Sequence, residues 1–522
     1  MPQRPFDLGR TRVTLFEALL RARSAKGGKT PILEDHERRV LTYDDIIRAA
    51  FALGGRLKKR TRAKESVGVM LPTGTGCTVT FFALHAIGRI PAMLNFTAGA
   101  MNLRSGCEAA NVDTILTARK FVEIGKLEGL VGELSKFANI VYLEDVREEI
   151  TIFDKIGALI SGFFPHISAA YAHPDDTGVI LFTSGSYGTP RGAVLSHANI
   201  VANVEQCYAH VPFDPEWSFF SPLPMFHCFG LTGGTLLPLF TGHKCFLYPS
   251  PLHIKEIPKL IANVGANVML ATDTFASQYA RNAAEGELSC LQLMVCGAER
   301  VKDETRETYR ERFGVTILEG YGATEAAPVI AVNAPATNRN GTVGQFLPGI
   351  EWRLEPVPGI HDGQKLFVRG PNVMRGYLDP LKAGGVDLLP DGWHDTGDVV
   401  DVDADGFVRI KGRVKRFAKI GGEMVSLNAV ENYASQVWPH NTHAAVALPD
   451  SRKGERVVLF SDYKDAQAAD LLDWAKHNGA PEIAVPKKII AIEEIPVLGS
   501  GKTDYVALQK LAAEQFASAE AA

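Results

Sequence analysis

The chain has 522 residues, of which 46% are hydrophobic and 22% are charged, and its formal net charge is −4. A chain of this length predicts at least two domains, and its balanced composition excludes an intrinsically disordered protein. The slightly acidic balance also excludes a nucleic-acid-binding protein that relies on overall basicity.

The seven cysteines are scattered, and no two of them form a Cys-x-x-Cys pair. This pattern argues against a zinc site or a disulfide framework and predicts a cytoplasmic protein. The first five residues lack the apolar core of a signal peptide. The stretch 156–172 is the most membrane-like, but it is too short to cross a bilayer and contains Pro165 and His166. A partly buried helix pair is the favoured interpretation, and peripheral contact with the inner face of a membrane is the alternative.

The N-terminal part of the chain alternates between helical periodicity and short apolar runs. Helices are predicted over 13–25, 43–57 and 75–88, the second of them capped by Thr42. The apolar runs that predict strands lie at 66–71, 91–96, 112–117, 139–143, 179–182, 267–271, 291–297 and 315–319. Such alternation is typical of parallel βαβ units.

A glycine-rich stretch, Thr-Ser-Gly-Ser-Tyr-Gly-Thr-Pro-Arg-Gly at 183–192, follows the predicted strand 179–182 and precedes Ser196, a suitable helix N-cap. A strand, a glycine-rich loop and then a helix offer free backbone N–H groups to a phosphate. An ordinary turn is the alternative interpretation. An ordinary P-loop is excluded, because Gly-Lys-Ser/Thr is missing at the helix entrance.

Beyond Gly341 the pattern changes. Glycine and proline become frequent and the predicted strands are short, at 352–355, 365–369 and 406–410, as in a small antiparallel or barrel-like module. After residue 415 a separate α/β pattern is predicted, with strands at 444–448, 457–462 and 488–492 and helices at 427–436 and 467–478. We expect an α/β protein with two parallel-sheet subdomains and a β-barrel-like module in a large N-terminal domain (1–413), followed by a small α/β domain (414–522).

Five ordered stretches resemble the motifs of the adenylate-forming superfamily of acyl-CoA synthetases, peptide-synthetase adenylation domains and luciferases. They are the loop 183–192, Pro-Met-Phe-His at 224–227, Tyr-Gly-Ala-Thr-Glu at 321–325, Trp-His-Asp-Thr-Gly-Asp at 393–398 with Gly-Arg at 412–413, and Gly-Ser-Gly-Lys at 499–502. The resemblance spans essentially the whole chain, and it implies an AMP-binding N-terminal domain and a mobile C-terminal domain.

Within the superfamily, the stretches 247–253, 317–322, 415–426 and 498–502 are most similar to the acyl-[acyl carrier protein] synthetase part of bacterial 2-acylglycerophosphoethanolamine acyltransferase proteins. The resemblance implies a stand-alone synthetase that uses ATP and Mg²⁺ to convert a long-chain fatty acid to an acyl-adenylate. The acyl group would then pass to the phosphopantetheine thiol of acyl carrier protein, or alternatively to coenzyme A. A catalytically weakened nucleotide- or acyl-binding protein is a further alternative, because Tyr187 and Arg191 stand where the superfamily usually has Thr and Lys.

The resemblance also assigns site residues. The phosphates would be held by Thr183, Ser184, Gly185, Ser186, Gly188, Arg191 and Gly192. The rest of the nucleotide would contact Gly297, Ala298, Glu299, Gly320, Tyr321, Gly322, Thr324, Asp398 and Arg413. Glu325 would bind Mg²⁺, a cation that prefers hard oxygen ligands.

Lys502 would neutralise the charge that develops during adenylation, and Lys415 would be the hinge of the C-terminal domain. His227 would gate the route between the thiol tunnel and the acyl pocket. Lys419, Gly421 and Gly422 would line the tunnel. Small and flexible apolar residues beside the gate predict the acyl pocket, at Met225, Phe226, Phe229 and Gly230.

Several of these residues have a structural alternative when taken singly. Glu325 could be a helix N-terminal charge, Asp398 a turn former and Lys502 a solvated loop lysine. His227 could be a packed core histidine. The order of the motifs favours the functional interpretation of each.

Overall fold

Strands and helices alternate through most of the chain. The computed structural model describes residues 5–183, 191–379, 382, 384–420, 423–450, 454–478, 480–498 and 502–520. In chain order the strands are β1 (Pro31–Asp35), β2 (Val40–Thr42), β3 (Ser66–Val69), β4 (Ile90–Met93), β5 (Thr114–Thr117), β6 (Asn139–Tyr142), β7 (Thr177–Thr183), β8 (Arg191–Ser196), β9 (Phe219–Ser221), β10 (Cys245–Leu247), β11 (Val268–Ala271), β12 (Leu293–Cys296), β13 (Thr316–Gly322), β14 (Val329–Val332), β15 (Gln345–Phe346), β16 (Glu351–Glu355), β17 (Gln364–Arg369), β18 (Gly376–Leu378), β19 (Val386–Leu388), β20 (His394–Val402), β21 (Val408–Arg413), β22 (Phe417–Ile420), β23 (Glu423–Ser426), β24 (His443–Asp450), β25 (Gly454–Ser461) and β26 (Lys488–Ala491).

The α-helices are α1 (Leu15–Lys26), α2 (Tyr43–Leu57), α3 (Thr75–Ala86), α4 (Ala100–Ala110), α5 (Arg119–Ile124), α6 (Glu128–Leu134), α7 (Leu143–Glu148), α8 (Ile152–Phe163), α9 (Pro165–Ser168), α10 (His197–His210), α11 (Leu237–Thr241), α12 (Ile257–Val264), α13 (Asp273–Asn282), α14 (Asp303–Thr308), α15 (Leu427–Val437), α16 (Ala468–Asn478) and α17 (Tyr505–Glu520). A π-helical segment, Phe229–Leu236, precedes α11. The predicted α/β fold is confirmed.

The start of α2 shows why these segments fold locally as they do. Thr42 accepts a hydrogen bond from the backbone N–H of Asp45 at 3.2 Å, and the Asp45 carboxylate accepts one from the N–H of Thr42 at 3.0 Å. This reciprocal capping box satisfies two N–H groups that a helix start leaves without partners, as predicted for Thr42. The apolar residues Ile46 and Ile47 then lie on the buried side of α2.

The described residues form two compact units. Unit 1 comprises Met1–Asn338, Phe346–Glu351 and Arg369–His394, and unit 2 comprises Arg339–Gln345, Trp352–Val368 and Asp395–Ala522. Unit 1 contains two large sheets, with strand orders β15-β14-β13-β12-β11-β9-β10-β1-β2 and β19-β18-β8-β7-β4-β3-β5-β6. The runs β13 to β1 and β7 to β6 within these orders are parallel. One core joins both sheets, since Leu33 and Leu181 belong to the same buried cluster.

Unit 2 contains the strands β16-β17-β20-β21 and a second sheet in the order β23-β22-β25-β24, with β26 added on β25. The strands β20 and β21 pair in antiparallel fashion, and β26 pairs with β25 in parallel. The small β module and the C-terminal α/β segment thus belong to one compact unit. The division into domains 1–413 and 414–522 stays a prediction.

The glycine-rich stretch does not lead directly into a helix, so the predicted strand-loop-helix arrangement is wrong. Residues 191–196 form the strand β8, which pairs with β7 in antiparallel register, Thr183 opposite Arg191. The strand forms because residues 192–196 are all buried and continue the sheet. The helix α10 begins only at His197, after Ser196 caps it through the N–H of Asn199. In chain order the glycine-rich stretch is therefore flanked by two strands, β7 and β8.

The stretch 156–172 contains most of α8 and all of α9, and the favoured expectation of a partly buried helix pair is confirmed, because Ala158 on α8 and Pro165 on α9 are buried. In contrast, Phe153 is 80% exposed and Ile167 is 84% exposed. The helices present their large apolar side chains to solvent and their small ones to the protein. Among the described residues, no helix is long and apolar enough to cross a membrane.

Two buried histidines lie side by side beneath the N-terminal helix. The rings of His85 and His197 are 5.1 Å apart, and Nδ1 of His197 accepts a hydrogen bond from the N–H of Leu15 at 3.3 Å. Nε2 of His85 has no hydrogen-bond partner among the described residues. Burial lowers the pKa of His197 to about 4, and burial together with His197 lowers the pKa of His85 well below its usual range. Both rings are therefore neutral in the folded protein at neutral pH.

The histidine pair predicts an acid-sensitive fold. Below about pH 6.5 the unfolded chain binds protons that the buried rings do not, so the free energy of unfolding should fall as the pH drops towards about 4. For His85→Leu we expect a shallower pH dependence, by up to about 1.4 kcal/mol per pH unit, and no loss of stability at pH 7. Urea unfolding between pH 7 and 4 measures both. The exposed His36→Leu is the control, and a His85→Leu slope equal to that of wild type would contradict the account.

Candidate functional site

Four of the predicted stretches in unit 1 follow the carboxyl ends of sheet strands. The loop from Thr183 follows β7, the segment 224–227 follows β9, Gly297 follows β12, and residues 323–325 follow β13. The strands β9, β12 and β13 belong to the same parallel sheet. The edge formed by the carboxyl ends of parallel strands is where open α/β sheets bind ligands.

The end of β13 leads into a tight turn that carries Thr324 and Glu325. Residues Thr324–Ala326 form one 3-10 turn, and the N–H of Ala323 donates to the carbonyl of Pro328 at 2.9 Å. A side chain at Gly322 would collide with that same carbonyl, so the close return of the chain requires glycine. The turn therefore carries Thr324 and Glu325 directly after Tyr321, which lies on β13.

Amide side chains on one face of α10 form hydrogen bonds to the chain that follows this turn. Asn199, Asn203 and Gln206, spaced by four and three residues, lie on one side of the helix and are buried. Asn203 binds both backbone groups of Val329, accepting from the N–H at 3.0 Å and donating to the carbonyl at 2.8 Å. Gln206 donates to the carbonyl of Pro348 at 2.8 Å.

Asn372 completes the buried amide cluster, which we define as Asn203, Gln206 and Asn372. Its Nδ2 donates to the carbonyls of Ala326 at 2.7 Å and Val329 at 3.1 Å, and its Oδ1 accepts from Gln206 at 3.3 Å. All three side chains are fully buried. Each bond is costly to lose, because a buried polar group without a partner keeps its full desolvation penalty. The cluster therefore fixes the turn beside Glu325.

Glu325 is bound by a residue that the sequence motifs did not indicate. The hydroxyl of Tyr377 donates to Oε1 of Glu325 at 2.6 Å. The guanidinium of Arg191 stacks on the ring of the same tyrosine, 3.4 Å from its centroid. Arg191, Tyr377 and Glu325 thus form a continuous chain from the start of β8 to the predicted metal ligand.

The strand register explains why Arg191 and Tyr377 meet. The strand β18 pairs with β8 so that Tyr377 lies opposite Ala193, which makes Arg191 its diagonal neighbour. A planar guanidinium stacks on an aromatic ring better than an ammonium does, so an arginine suits this position. The replacement of the usual lysine by Arg191 was the signal that could have indicated an aromatic partner. Gly192, in turn, leaves room for the side chain of Leu378.

The segment 224–236 lies close to the turn. Burial raises the pKa of the Cys228 thiol to about 12, and the nearby Glu325 carboxylate adds to the rise. The N–H of His227 donates to the carbonyl of Pro224 at 3.1 Å, and its half-buried ring lies 4.7 Å from that of Phe226. A side chain at Gly230 would collide with the same Pro224 carbonyl, which brings the π-helical segment against this loop.

The predicted acyl-pocket residues lie on this segment. Met225, Phe226 and Gly230 are buried and Phe229 is half-buried. The backbone at Met225 is fixed, because its N–H donates a hydrogen bond to the hydroxyl of Thr73 at 3.0 Å. Their role as an acyl pocket stays a prediction.

The loop after β12 is shaped by Glu299 and by close packing around Gly297. The carboxylate of Glu299 accepts from the N–H of Thr274 at 3.0 Å and from its hydroxyl at 2.8 Å. A Cβ at Gly297 would lie 3.5 Å from the carbonyl of Gly320 and 3.6 Å from the ring of Phe229. Gly297 and Gly320 therefore adjoin, and the Glu299 side chain holds the start of α13.

In unit 2 the structure brings together the two residues that were predicted to act on the ribose side. Asp398 and Arg413 are register partners in β20 and β21, and Nε of Arg413 donates to Oδ1 of Asp398 at 2.8 Å. Asp398 is buried, whereas the Arg413 side chain is 56% exposed. A buried carboxylate backed by an exposed guanidinium is a suitable hydroxyl acceptor.

The other predicted residues of unit 2 are exposed. Lys415 lies in the 3-10 turn Val414–Arg416 that follows β21, and Lys419 lies on β22. Arg416, which follows Lys415, donates a hydrogen bond to the Glu431 carboxylate at 2.7 Å. The carbonyl of Lys502 accepts from the N–H of Leu498 at 2.7 Å, beside an antiparallel bridge between Val497 and Thr503. The remaining predicted residues, Ser184, Gly185, Ser186, Gly188, Gly421 and Gly422, together with Tyr187, lie outside the described residues.

Comparisons with known proteins agree with this architecture. The model of the AMP-binding enzyme family matches residues 20–378, more than half of the chain, and the chain belongs to this family. Its fold is similar to that of MatB from Rhodopseudomonas palustris with ATP bound, with a TM-score of 0.82, 22% identity and coverage of 96% of this chain and 99% of that one. It is similarly close to the anthranilate CoA ligase AuaEII in complex with anthranoyl-AMP, with a TM-score of 0.79, 21% identity and coverage of 97% and 98%.

Two curated relatives are fatty-acid ligases. The long-chain-fatty-acid-CoA ligase of Salmonella typhimurium is 31% identical over 342 residues, which cover 63% of this chain and 60% of the ligase. The medium-chain fatty-acid-CoA ligase of Escherichia coli is 25% identical over 489 residues, which cover 90% of this chain and 85% of that protein. The match to the Salmonella enzyme thus spans less than two thirds of its length.

We expect a single substitution in the buried amide cluster to lower the free energy of unfolding substantially. Asn372→Leu removes the hydrogen bonds to the carbonyls of Ala326 and Val329 and the one from Gln206, and it places an apolar side chain among these buried polar groups. We therefore expect a loss of about 2–5 kcal/mol in the free energy of unfolding. Urea denaturation measures this loss. The matched control is Asn282→Leu, on an exposed position of α13, where we expect a change within about 0.5 kcal/mol. Equal effects of the two substitutions would contradict a structural role of the cluster.

Proposed function

We propose that this chain activates a fatty acid with ATP to form an acyl-adenylate and then transfers the acyl group to coenzyme A. The observation that carries the proposal is the connected arrangement of Arg191, Tyr377 and Glu325 at the carboxyl edge of the sheets, in a chain of the AMP-binding enzyme family. This arrangement supports the assignment of Arg191 to the phosphates and of Glu325 to Mg²⁺, which the resemblance implies.

The first half-reaction joins two anions. A carboxylate oxygen of the fatty acid attacks the α-phosphorus of ATP, the bond to the β-phosphate oxygen breaks, and pyrophosphate leaves. We assign the β- and γ-phosphates to the loop 183–192, the α-phosphate to Thr324, and charge neutralisation to Lys502. Tyr321 would stack on the adenine, and Asp398 would accept the ribose hydroxyls. The hinge role of Lys415 and the gate role of His227 are parts of the same proposal.

In the second half-reaction the thiolate of the acceptor attacks the acyl carbon. The bond between that carbon and the phosphate oxygen breaks, and AMP leaves. AMP is a good leaving group because its charge is held by groups already arranged around the phosphate. We assign the route of the thiol to the segment around Lys419.

The residues around Glu325 fit a magnesium ion. Glu325 offers a hard carboxylate oxygen, and Tyr377 fixes its orientation through Oε1. Among the described residues, no three His, Cys, Asp or Glu side chains converge on one point, so the phosphates would supply the further oxygens. When bound, the ion would offset phosphate charge and orient the nucleotide.

The relatives favour coenzyme A over acyl carrier protein as the acceptor, in contrast to the expectation from the sequence. Both fatty-acid relatives described above are named as CoA ligases. Acyl carrier protein remains the second candidate. The resemblance that suggested it includes residues 415–426, where Lys415 and Lys419 are exposed. Such basic side chains could bind an acidic carrier protein.

The direct test of the proposal is product formation with each acceptor. The protein is incubated with Mg-ATP and fatty acids of increasing chain length, and with either coenzyme A or phosphopantetheinylated acyl carrier protein. We expect pyrophosphate and acyl-CoA, and we expect Lys502→Ala to lower the rate of the adenylation step at least about 100-fold, because it removes the charge that acts in the transition state.

Lys510→Ala is the matched control, since Lys510 is an exposed lysine of unit 2 on α17. If the carrier protein is acylated and coenzyme A is not, the acceptor is acyl carrier protein. If ATP binds but no pyrophosphate is released with any chain length, the chain is a nucleotide-binding protein and the proposed reaction is wrong.

Tyr377 predicts a change in the magnesium dependence. Tyr377→Phe keeps the ring on which Arg191 stacks but removes the hydroxyl that orients Glu325, so we expect the Mg²⁺ concentration for half-maximal activity to rise about 10-fold or more. A magnesium titration of the pyrophosphate assay measures it. Tyr142→Phe is the control, because Tyr142 also lies under an arginine, Arg119 at 4.1 Å. An unchanged magnesium requirement in Tyr377→Phe would exclude the proposed role of the Tyr377 hydroxyl in orienting Glu325.

A further inference from the structure

The helices α8 and α9 and the chain that directly follows them carry a row of large apolar side chains that face solvent. The row, which we call the apolar face, consists of Phe153, Ile156, Ile160, Phe163, Ile167 and Tyr171. Their spacing of three or four residues keeps those on α8 on one side of the helix. The exposed fractions are 80% for Phe153, 84% for Ile167 and 90% for Tyr171. Folded proteins rarely leave so continuous an apolar surface without a binding role.

The opposite side of α8 is the one that contacts the protein, and its residues are small. Ala158 is buried, and Ser161 and Gly162 are half-buried. A Cβ at Gly162 would lie 3.0 Å from the side chain of Arg48 on α2, so the two helices approach closely there. The helix is thus amphipathic in the sense opposite to that of an ordinary surface helix, which turns its large apolar residues inward.

Polar contacts hold this segment in place at both ends. Arg56 at the end of α2 forms an ion pair with Asp154, and Arg60 forms one with Glu149. At the other end, the N–H of Ala170 donates to the carbonyl of Ala86 at 2.8 Å. The outward orientation of the apolar face is therefore imposed by specific contacts.

A basic edge borders the apolar face. The chain after α2 carries Lys58, Lys59 and Lys64, which are exposed and have no acidic partner within ion-pair distance among the described residues. The edge adjoins the start of α8 through the ion pairs of Arg56 and Arg60. The basic edge also lies near the chain that follows α9. The N–H of Lys64 donates to the carbonyl of Gly88. A Cβ at Gly88 would in turn lie 3.1 Å from the Cβ of Ala170.

We propose that the apolar face, together with the basic edge, docks this protein on the surface of an anionic lipid bilayer. Protruding aromatic and aliphatic side chains beside lysines match both parts of such a surface, the acyl region and the anionic headgroups. The lysines supply the charge complementarity, and the protrusion of Phe153, Ile167 and Tyr171 suits insertion among lipids better than contact with a flat protein surface.

The geometry describes a helix that lies along the membrane. With 12 residues, α8 is about 18 Å long, whereas the hydrocarbon core is about 30 Å thick. The inference rests on these contacts alone and stands apart from the proposed reaction. If both hold, the surface would bring the protein to the phase into which fatty acids partition.

The test is binding of the full chain to vesicles without nucleotide or fatty acid. Flotation compares vesicles of phosphatidylglycerol and phosphatidylethanolamine with vesicles of phosphatidylcholine alone. We expect binding to the anionic vesicles, and at least a 10-fold loss of partitioning in the triple variant Phe153→Ser, Ile160→Ser, Ile167→Ser. The control is Met101→Ser with Ile124→Ser, which are 83% and 73% exposed outside the apolar face and should bind as wild type does.

The basic edge is tested separately. Replacement of Lys58, Lys59 and Lys64 by Gln should weaken binding to anionic vesicles roughly five-fold per lysine at low salt and reduce its salt dependence. A measurement that does not disturb the fold uses Phe153→Trp, whose fluorescence should shift to shorter wavelength with anionic vesicles, while that of Met101→Trp should not.

Three outcomes would overturn the proposal. They are failure of the wild type to bind anionic vesicles, equal binding by the triple variant, and a wild-type dimer that the triple variant abolishes in the absence of any vesicle binding. The last outcome would assign the apolar face to a second copy of the chain.

Discussion

The arrangement of the candidate site depends on hydrogen bonds from buried amides to backbone carbonyls. The residues Asn203, Gln206 and Asn372 are fully buried, and together they bind the chain at Ala326, Val329 and Pro348. Buried amides are stable only when their hydrogen bonds are made, so this cluster tolerates few positions of the turn that carries Thr324 and Glu325. The acidic side chain is thus positioned by the interior of unit 1, although it is itself only half-buried.

The same constraint extends to Arg191 at the start of β8. Because β18 follows Asn372 by a few residues and pairs with β8, its tyrosine lies between Glu325 and Arg191. Two motifs that are far apart in the sequence are joined through Tyr377, which belongs to neither. The arginine at position 191 is compatible with a working site in this geometry, because its planar group stacks on the ring while keeping its positive charge.

The sequence was most informative where local chemistry decides the structure. The capping box at Thr42 and the parallel strands from β3 to β6 follow from local patterns, and the ordered motifs pointed to the family that the comparisons then showed. Residues 191–196 were missed as a strand because their burial depends on pairing with β7. The amide face of α10 could have been found from the polar residues Asn199, Asn203 and Gln206 at helical spacing, but whether such a face is buried depends on distant loops. The outward apolar side of α8 reversed the ordinary rule of burial, which no local pattern reveals.

The central claim is that this chain forms an acyl-adenylate, and the reversal of that step tests it most directly. Labelled pyrophosphate is added to the protein with ATP, Mg²⁺ and a fatty acid, in the absence of any thiol. The account predicts that label enters ATP only when the fatty acid is present, and that Glu325→Gln slows this exchange strongly. Binding of ATP without any fatty-acid-dependent exchange, from medium to long chains, would contradict the account.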